Sequence, residues 1–171
     1  EAANQGIYDL NVQSGEALVS SGYATMLGYD PATFHETHAA WIERLHPDDR
    51  DRVTEYYRAY VAGTIPEYRV EFRQRTRGRG WRWILSLGRI VERDARGEPL
   101  RMLGTHTDIT ERKQMEEALR ASEDRFNLAV RGSNTGIWDW DLRTGKTYFS
   151  PLWKSMLGYE EHELQGEFFE W

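Results

Sequence analysis

The chain has no cysteine among its 171 residues. That excludes disulfides, thiolate metal ligands, cysteine nucleophiles and any photochemistry that proceeds through a thiol adduct. No run of about 18 apolar residues occurs, so no segment reads as a membrane-spanning helix. The opening "EAANQG" has neither a basic nor an apolar segment and does not read as a signal peptide. Proline is scarce, at 5 residues, and the net charge is −6, which argues against nucleic acid as the main partner. The stretch "RQRTRGRGWR" runs against that charge with Arg73, Arg75, Arg77, Arg79 and Arg82. Its alternation around two glycines reads as a hairpin with a solvated face. What remains is 39% hydrophobic, 29% charged and 13% aromatic, the composition of a folded globular chain, and the lack of cysteine fits a cytoplasmic one.

What is present is an internal repeat. Residues 4–41 align without a gap on residues 134–171, with eleven identities in 38 positions, among them "MLGY" at Met26–Tyr29 and Met156–Tyr159. A period of 130 residues implies tandem domains and not a solenoid. The expected organisation is a first domain over 1–110, a connecting helix over 111–131, and the N-terminal part of a second copy over 132–171. In each copy two strand-like runs flank a turn containing Gly15 or Gly145, and a short helix follows, capped by Ser21 or Ser150. "MLGY" then reads as a helix stop, with Gly28 left-handed. "DP" at Asp30–Pro31 predicts a further helix start.

Beyond the repeat, "LHPDDRDRVTEYYRAYVAG" predicts a helix with Val53, Tyr56, Tyr57, Tyr60 and Val61 on one face. Three strands follow, over "EYRVEFRQR", "GWRWILSLGRIVERD" and "PLRMLGTHTDIT". Trp81, Trp83, Leu85 and Leu87 share one side of the middle strand, and the phase slips near Gly88 as at a bulge. Two strands, short helices, then three strands predict an α+β fold, an antiparallel sheet with helices on one face. After Ile109, "TERKQMEEALRASEDRFNLAV" predicts a helix ended by Gly132, with Met115, Leu119, Ser122, Phe126 and Ala129 on a heptad seam suited to a two-chain coiled coil.

"GTHTDITERKQMEEALRASEDRF", with "LHPDDR" and "WRWILSLGRIVERDARGEPLRMLG", resembles the PAS/PAC sensory domains of bacterial signalling proteins. The resemblance spans nearly the whole chain. It implies a PAS-like five-stranded antiparallel sheet with helices over a small pocket, a connecting helix and a partial second PAS domain. It also implies a homodimer that relays a signal to a downstream output domain, commonly a histidine kinase or diguanylate cyclase. In the family's pattern Asp108 and Thr110 fasten the last strand to the exit helix. Flavin, haem, small acids or no ligand at all are compatible with such a fold, and the missing cysteine removes the flavin-thiol branch.

The candidate pocket residues are Tyr57, Phe72, Trp83 and His106. His106 is the candidate haem ligand on the last strand, while His46 reads as a cap in "HPDD" and His35 and His38 lack a third metal ligand. The expectation is a non-catalytic sensor with a small-molecule ligand and no nucleic-acid or membrane contact. The competing reading is a ligand-free repeat that dimerises and spaces other domains. An enzyme built on "HPDD" is the least supported reading.

Overall fold

A computed structural model of the chain describes residues 5–133 and 135–163, and the backbone alone of Arg131. The repeat's matches at Asn4, Asn134 and Trp171, and the expected packing of the last residues against another chain, lie outside the described residues. The chain divides into two compact units, 1–114 and 115–171.

In chain order the first unit holds β1 (Gln5–Asn11), β2 (Glu16–Val19), α1 (Ser21–Met26), β3 (Glu36–Thr37), α2 (His38–Arg44), α3 (Pro47–Val61), β4 (Tyr68–Arg75), β5 (Trp81–Arg93), β6 (Pro99–Asp108) and the start of α4 (Thr110–Ser133). The sheet order is β3-β2-β1-β6-β5-β4, antiparallel throughout. Five strands form the expected sheet, and the two residues of β3 add a short sixth strand at its edge. The inward side chains of Tyr8, Leu10, Val70, Phe72, Ile84 and Met102 meet Tyr23, Leu27, Trp41, Val53 and Tyr60 from the helices in one core.

Local chemistry sets each boundary. Asn11 Oδ1 accepts hydrogen bonds from the amides of Gln13 and Ser14, and Gly15 takes φ +77° to close the hairpin. The cap of α1 is Ser20, not the expected Ser21: its Oγ accepts from the amides of Ile7 and Tyr23 and so ties helix to strand. At "MLGY", Tyr29 N–H donates to Ala24 O and Gly28 N–H to Thr25 O, the paired bonds of a Schellman stop. Asp30–Pro31 starts one isolated turn and no helix. The register shift in β5 falls between Ile90 and Arg93, past Gly88, which pairs directly with Gly104. The helix α4 runs through Gly132 to Ser133.

The second unit repeats the first hairpin and helix. Its β7 (Trp138–Trp140) and β8 (Thr147–Phe149) pair Trp138 with Phe149 and Trp140 with Thr147, the register of Tyr8 with Val19 and Leu10 with Ala17 displaced by 130 residues. Ser150 caps α5 (Pro151–Met156) and accepts from the amides of Ile137 and Trp153, as Ser20 does from Ile7 and Tyr23. The apolar positions differ in burial. Tyr8, Leu10, Met26 and Leu27 are core residues, whereas Trp138, Trp140, Met156 and Leu157 are exposed.

Candidate functional site: a small buried cavity and the clasp beside it

A cavity of about 40 Å³ lies between the inward face of the sheet and helices α1–α3. Strands β1, β5 and β6 supply Tyr8, Ser86, Met102 and His106, while Trp41 and Tyr57 close it from α2 and α3. His106 is paired across β5–β6 with Ser86, so both project into the core at one level. Rings cover the imidazole: Tyr23 stacks at 4.9 Å, Tyr8 lies edge-on at 5.1 Å and Phe72 edge-on at 5.5 Å. Burial, with the Arg44 charge adding to it, pushes the His106 pKa down to about 3, so the ring is neutral at physiological pH.

One carboxylate reaches the wall, Glu36, which is buried and paired with the Arg44 guanidinium. The Tyr23 hydroxyl donates to Glu36 Oε2 at 3.0 Å and the Thr37 amide donates to Oε1 at 3.0 Å. Two buried nitrogens on wall residues, Trp41 Nε1 and His106 Nδ1, have no protein partner, while the Ser86 hydroxyl lies beside those of Tyr8 and Tyr68. Gln74, fully buried, lies beside the Tyr23 hydroxyl.

Of the expected pocket residues, Tyr57 and His106 line the cavity. Phe72 is fully buried in the core, edge-on to Trp41 at 5.6 Å, and is not among the lining residues. Trp83 is corrected. It occupies the opposite face of the sheet, half-buried between the Arg73 guanidinium at 5.4 Å and the Lys113 ammonium at 5.1 Å from its ring. The reason is phase, since Ile84 and Ser86 are the buried residues of β5. Sequence reasoning missed Ser86, Trp41 and Glu36. A serine opposite a histidine on adjacent strands is visible only once the register is known.

Neither haem nor flavin fits. A volume near 40 Å³ has room for water-sized molecules and is far smaller than either cofactor. Among the described residues no group of three His, Asp or Glu side chains is placed to hold a metal ion. His35 is exposed, and His38 packs on Tyr57 at 4.3 Å. In "HPDD", His46 Nδ1 accepts the Asp48 amide at the start of α3, and Asp49 takes the Arg73 side chain and amide at 2.9 Å. These residues serve helix initiation and strand anchoring. Two of the five hairpin arginines are likewise paired within the fold, Arg73 with Asp49 and Arg82 with Asp108.

Two residues beyond His106, β6 ends in a clasp. Asp108 Oδ1 accepts the Thr110 amide at 2.9 Å and Asp108 Oδ2 pairs with Arg82. Burial raises the Asp108 pKa, but the Thr110 and Arg82 bonds outweigh it and hold the carboxyl below its usual range. Thr110 Oγ1 accepts from Trp83 N–H at 3.0 Å, and Ile109 N–H donates to Trp83 O at 2.9 Å. The capping acceptor is thus Asp108, while Thr110 holds the exit helix to β5. Glu71 of β4 adds bonds from Lys113 and Arg112, each at 2.7 Å, and these hold its pKa low. Further along α4, Met115, Leu119 and Phe126 are each at least 60% exposed, with Ser122 and Ala129 exposed between and beyond them.

An antiparallel sheet with helices over a small cavity, and an exit helix clasped to its last strand, defines an α+β domain of one recognisable kind. Residues 16–106 match the family described as PAS fold. A solved sensory box histidine kinase/response regulator from Burkholderia thailandensis is 36% identical, with TM-score 0.64 over 73% of this chain and 92% of that one. The chain belongs to the PAS fold family and is a sensor domain of the kind found in signal-transduction proteins. The sensor protein FixL of Bradyrhizobium diazoefficiens is 30% identical over 98% of this chain and 32% of its own length. The probable diguanylate cyclase DgcE of Escherichia coli is 28% identical over 74% of this chain. The chain spans 18% and 11% of the first two curated relatives, so those relatives carry much besides the shared region. No helix among the described residues is long and apolar enough to cross a membrane.

Proposed function

We propose that residues 1–110 form a ligand-responsive input module whose state is passed through residues 111–131 to an output domain in the same protein, a kinase or cyclase in keeping with the relatives. One observation carries this reading. His106 on the cavity wall and Asp108 in the clasp are two residues apart on β6, and Ser86 on the wall is three residues from Trp83, whose amide and carbonyl hold Thr110 and Ile109. A change in the cavity that displaces β5 or β6 therefore acts on the first turn of α4, with no intervening loop to absorb it.

In this reading Tyr57 and His106 contact the ligand, and Asp108 and Thr110 carry the response. Met115, Leu119 and Phe126 form the seam of a homodimer, and residues 132–171 begin a second PAS domain. Filling the cavity tests the relay. In Ser86→Trp, amide hydrogen exchange at Glu111–Gln114 should change by more than threefold while the amides of α3 stay protected. Unchanged exchange at α4 in a folded variant would refute transmission. A second reading, a ligand-free spacer that only dimerises, is favoured by the small size of the cavity. Native mass spectrometry of purified protein distinguishes the two by the presence or absence of a stoichiometric bound solute.

A further inference from the structure

The free edge of β4 is a surface distinct from the cavity and from the seam of α4. β4 lies at one end of the sheet and, apart from a single bridge between Leu45 and Gln74, pairs with β5 alone. Such an edge presents N–H and C=O groups that can take up a strand of another chain. Here side chains of α3 occupy it. The Asp49 carboxylate accepts the Arg73 amide at 2.9 Å, Arg52 Nη2 donates to Glu71 O at 2.9 Å, and the Tyr56 hydroxyl donates to Glu67 O at 3.2 Å. The His46 amide adds a bond to Arg73 O at 2.9 Å. Positions 46, 49, 52 and 56 follow one stripe of the helix and its cap, so α3 stands in for a missing strand.

The strand beneath that cover is complementary to itself. Over "EYRVEFR", Tyr68, Val70 and Phe72 are buried toward the core, and Glu67, Arg69, Glu71 and Arg73 alternate with them. Laid antiparallel on a second copy about Val70, Glu67 meets Arg73, Arg69 meets Glu71 and Tyr68 meets Phe72. Every charge then faces its opposite and every apolar residue an apolar one, the pairs that stabilise adjacent strands. The backbone agrees with this register. The groups bonded by α3 belong to residues 67, 71 and 73, so the odd-numbered residues present their amides and carbonyls to the edge, and these are the ones set opposite each other. Slipping by two residues puts Arg69 opposite Arg69 or Glu71 opposite Glu71, and slipping by one turns core residues outward. Glu67 and Arg69 are exposed, and neither has an ion-pair partner among the described residues. Arg73, once parted from Asp49, would regain a carboxylate in Glu67 of the second copy. Opening the edge requires α3 to lift from β4, which its three side-chain bonds resist.

We propose that the free edge of β4 is a strand-pairing surface for β4 of a second copy, kept closed in the single chain by Asp49, Arg52 and Tyr56 of α3.

The test uses the full chain carrying Leu119→Asp and Phe126→Asp, so that association through α4 does not intrude. Adding Arg52→Ala and Tyr56→Phe removes two of the covering bonds and leaves the buried Asp49 in place, and Asp49→Ala then removes the third. Light scattering over a concentration series should show the mass of the uncovered chain rising to twice that of its parent. Hydrogen exchange at the Arg69 amide should slow by roughly tenfold in the dimer. Arg69→Glu, which sets a carboxylate opposite Glu71, should return the mass to the parent value. An uncovered chain with the near-ultraviolet spectrum and the mass of its parent overturns the proposal. Association that Arg69→Glu leaves intact runs through another surface and overturns it as well. If Asp49→Ala prevents folding, the chain with Arg52→Ala and Tyr56→Phe decides alone. The sensing reading stands or falls separately, since none of these results depends on what the cavity holds.

Discussion

Gly88 and Gly104 face each other across β5 and β6, and Tyr8 lies over both. A Cβ on Gly104 would sit 2.3 Å from Leu87 O and 2.3 Å from the Tyr8 ring, and one on Gly88 would sit 2.2 Å from Met102 Cε. Gly104→Ala should therefore destabilise the domain by about 2 kcal/mol or more, read as a lowered urea midpoint with unchanged m-value. His106 makes a different demand. Its folded pKa of about 3 lies below the ordinary 6.5, so the unfolded chain binds the proton first. The contribution is complete above pH 6.5 and is lost as pH falls toward 3, at a limiting slope of about 1.4 kcal/mol per pH unit from this one group. His38, also depressed by burial, acts in the same direction. The carboxyls of Asp49, Asp108 and Glu71, held low by their partners, add their losses at lower pH. Between pH 6.5 and 4.5, His106→Asn should flatten the stability profile relative to the parent. Parallel profiles in urea titrations would contradict the neutral, buried assignment.

At the scale of elements, the join between β5 and α4 concentrates its strength in few bonds. Thr110→Val preserves shape but removes the acceptor for Trp83 N–H, which should cost about 1–2 kcal/mol and raise hydrogen exchange at Trp83 more than at Ile84. Element order and the paired glycine turns were readable before any coordinates, because turn chemistry and alternation are local. The inward face of β5 was not. Trp81, Trp83, Leu85 and Leu87 outweigh Ile84, Ser86, Gly88 and Ile90 in hydrophobicity, yet the second set faces the core. Small residues are needed there, where Tyr8, Tyr68 and Met102 crowd Gly88, and Arg73 and Lys113 cover Trp83 outside. That covering depends on side chains 10 positions before and 30 after Trp83, beyond any local pattern. Ser20 in place of Ser21 is the opposite case: the 130-residue offset of the repeat aligns Ser20, not Ser21, with Ser150, so the cap was within reach of the sequence.

For the whole molecule, family membership was legible because the strand order, "HPDD" and "DITERK" spread over the chain agree with one another. The cavity was not, since its volume depends on packing among nine elements, from β1 to β6 and α1 to α3. The proposed homodimer is tested at this scale. The exposed Met115, Leu119 and Phe126 are apolar residues with no cover in one chain. Light scattering should report a dimer, and the double variant Leu119→Asp/Phe126→Asp should halve the mass while leaving the near-ultraviolet spectrum of the first unit intact. An unchanged mass would exclude this seam as the interface. The sheet order carries one further consequence. β1, made first, lies between β2 and β6, and Gln5 meets Thr107 across about a hundred residues of chain. Synthesis must therefore deliver almost the entire domain before its opening strand can find its central neighbour, and closure of so long a loop delays the barrier crossing. Because α4 is anchored by bonds to β5 and to the end of β6, its attachment comes last. A nascent chain stalled before residue 108 would thus expose an unpaired strand flank to chaperones, and a released one would acquire its signalling joint in the same cooperative event that closes the sheet.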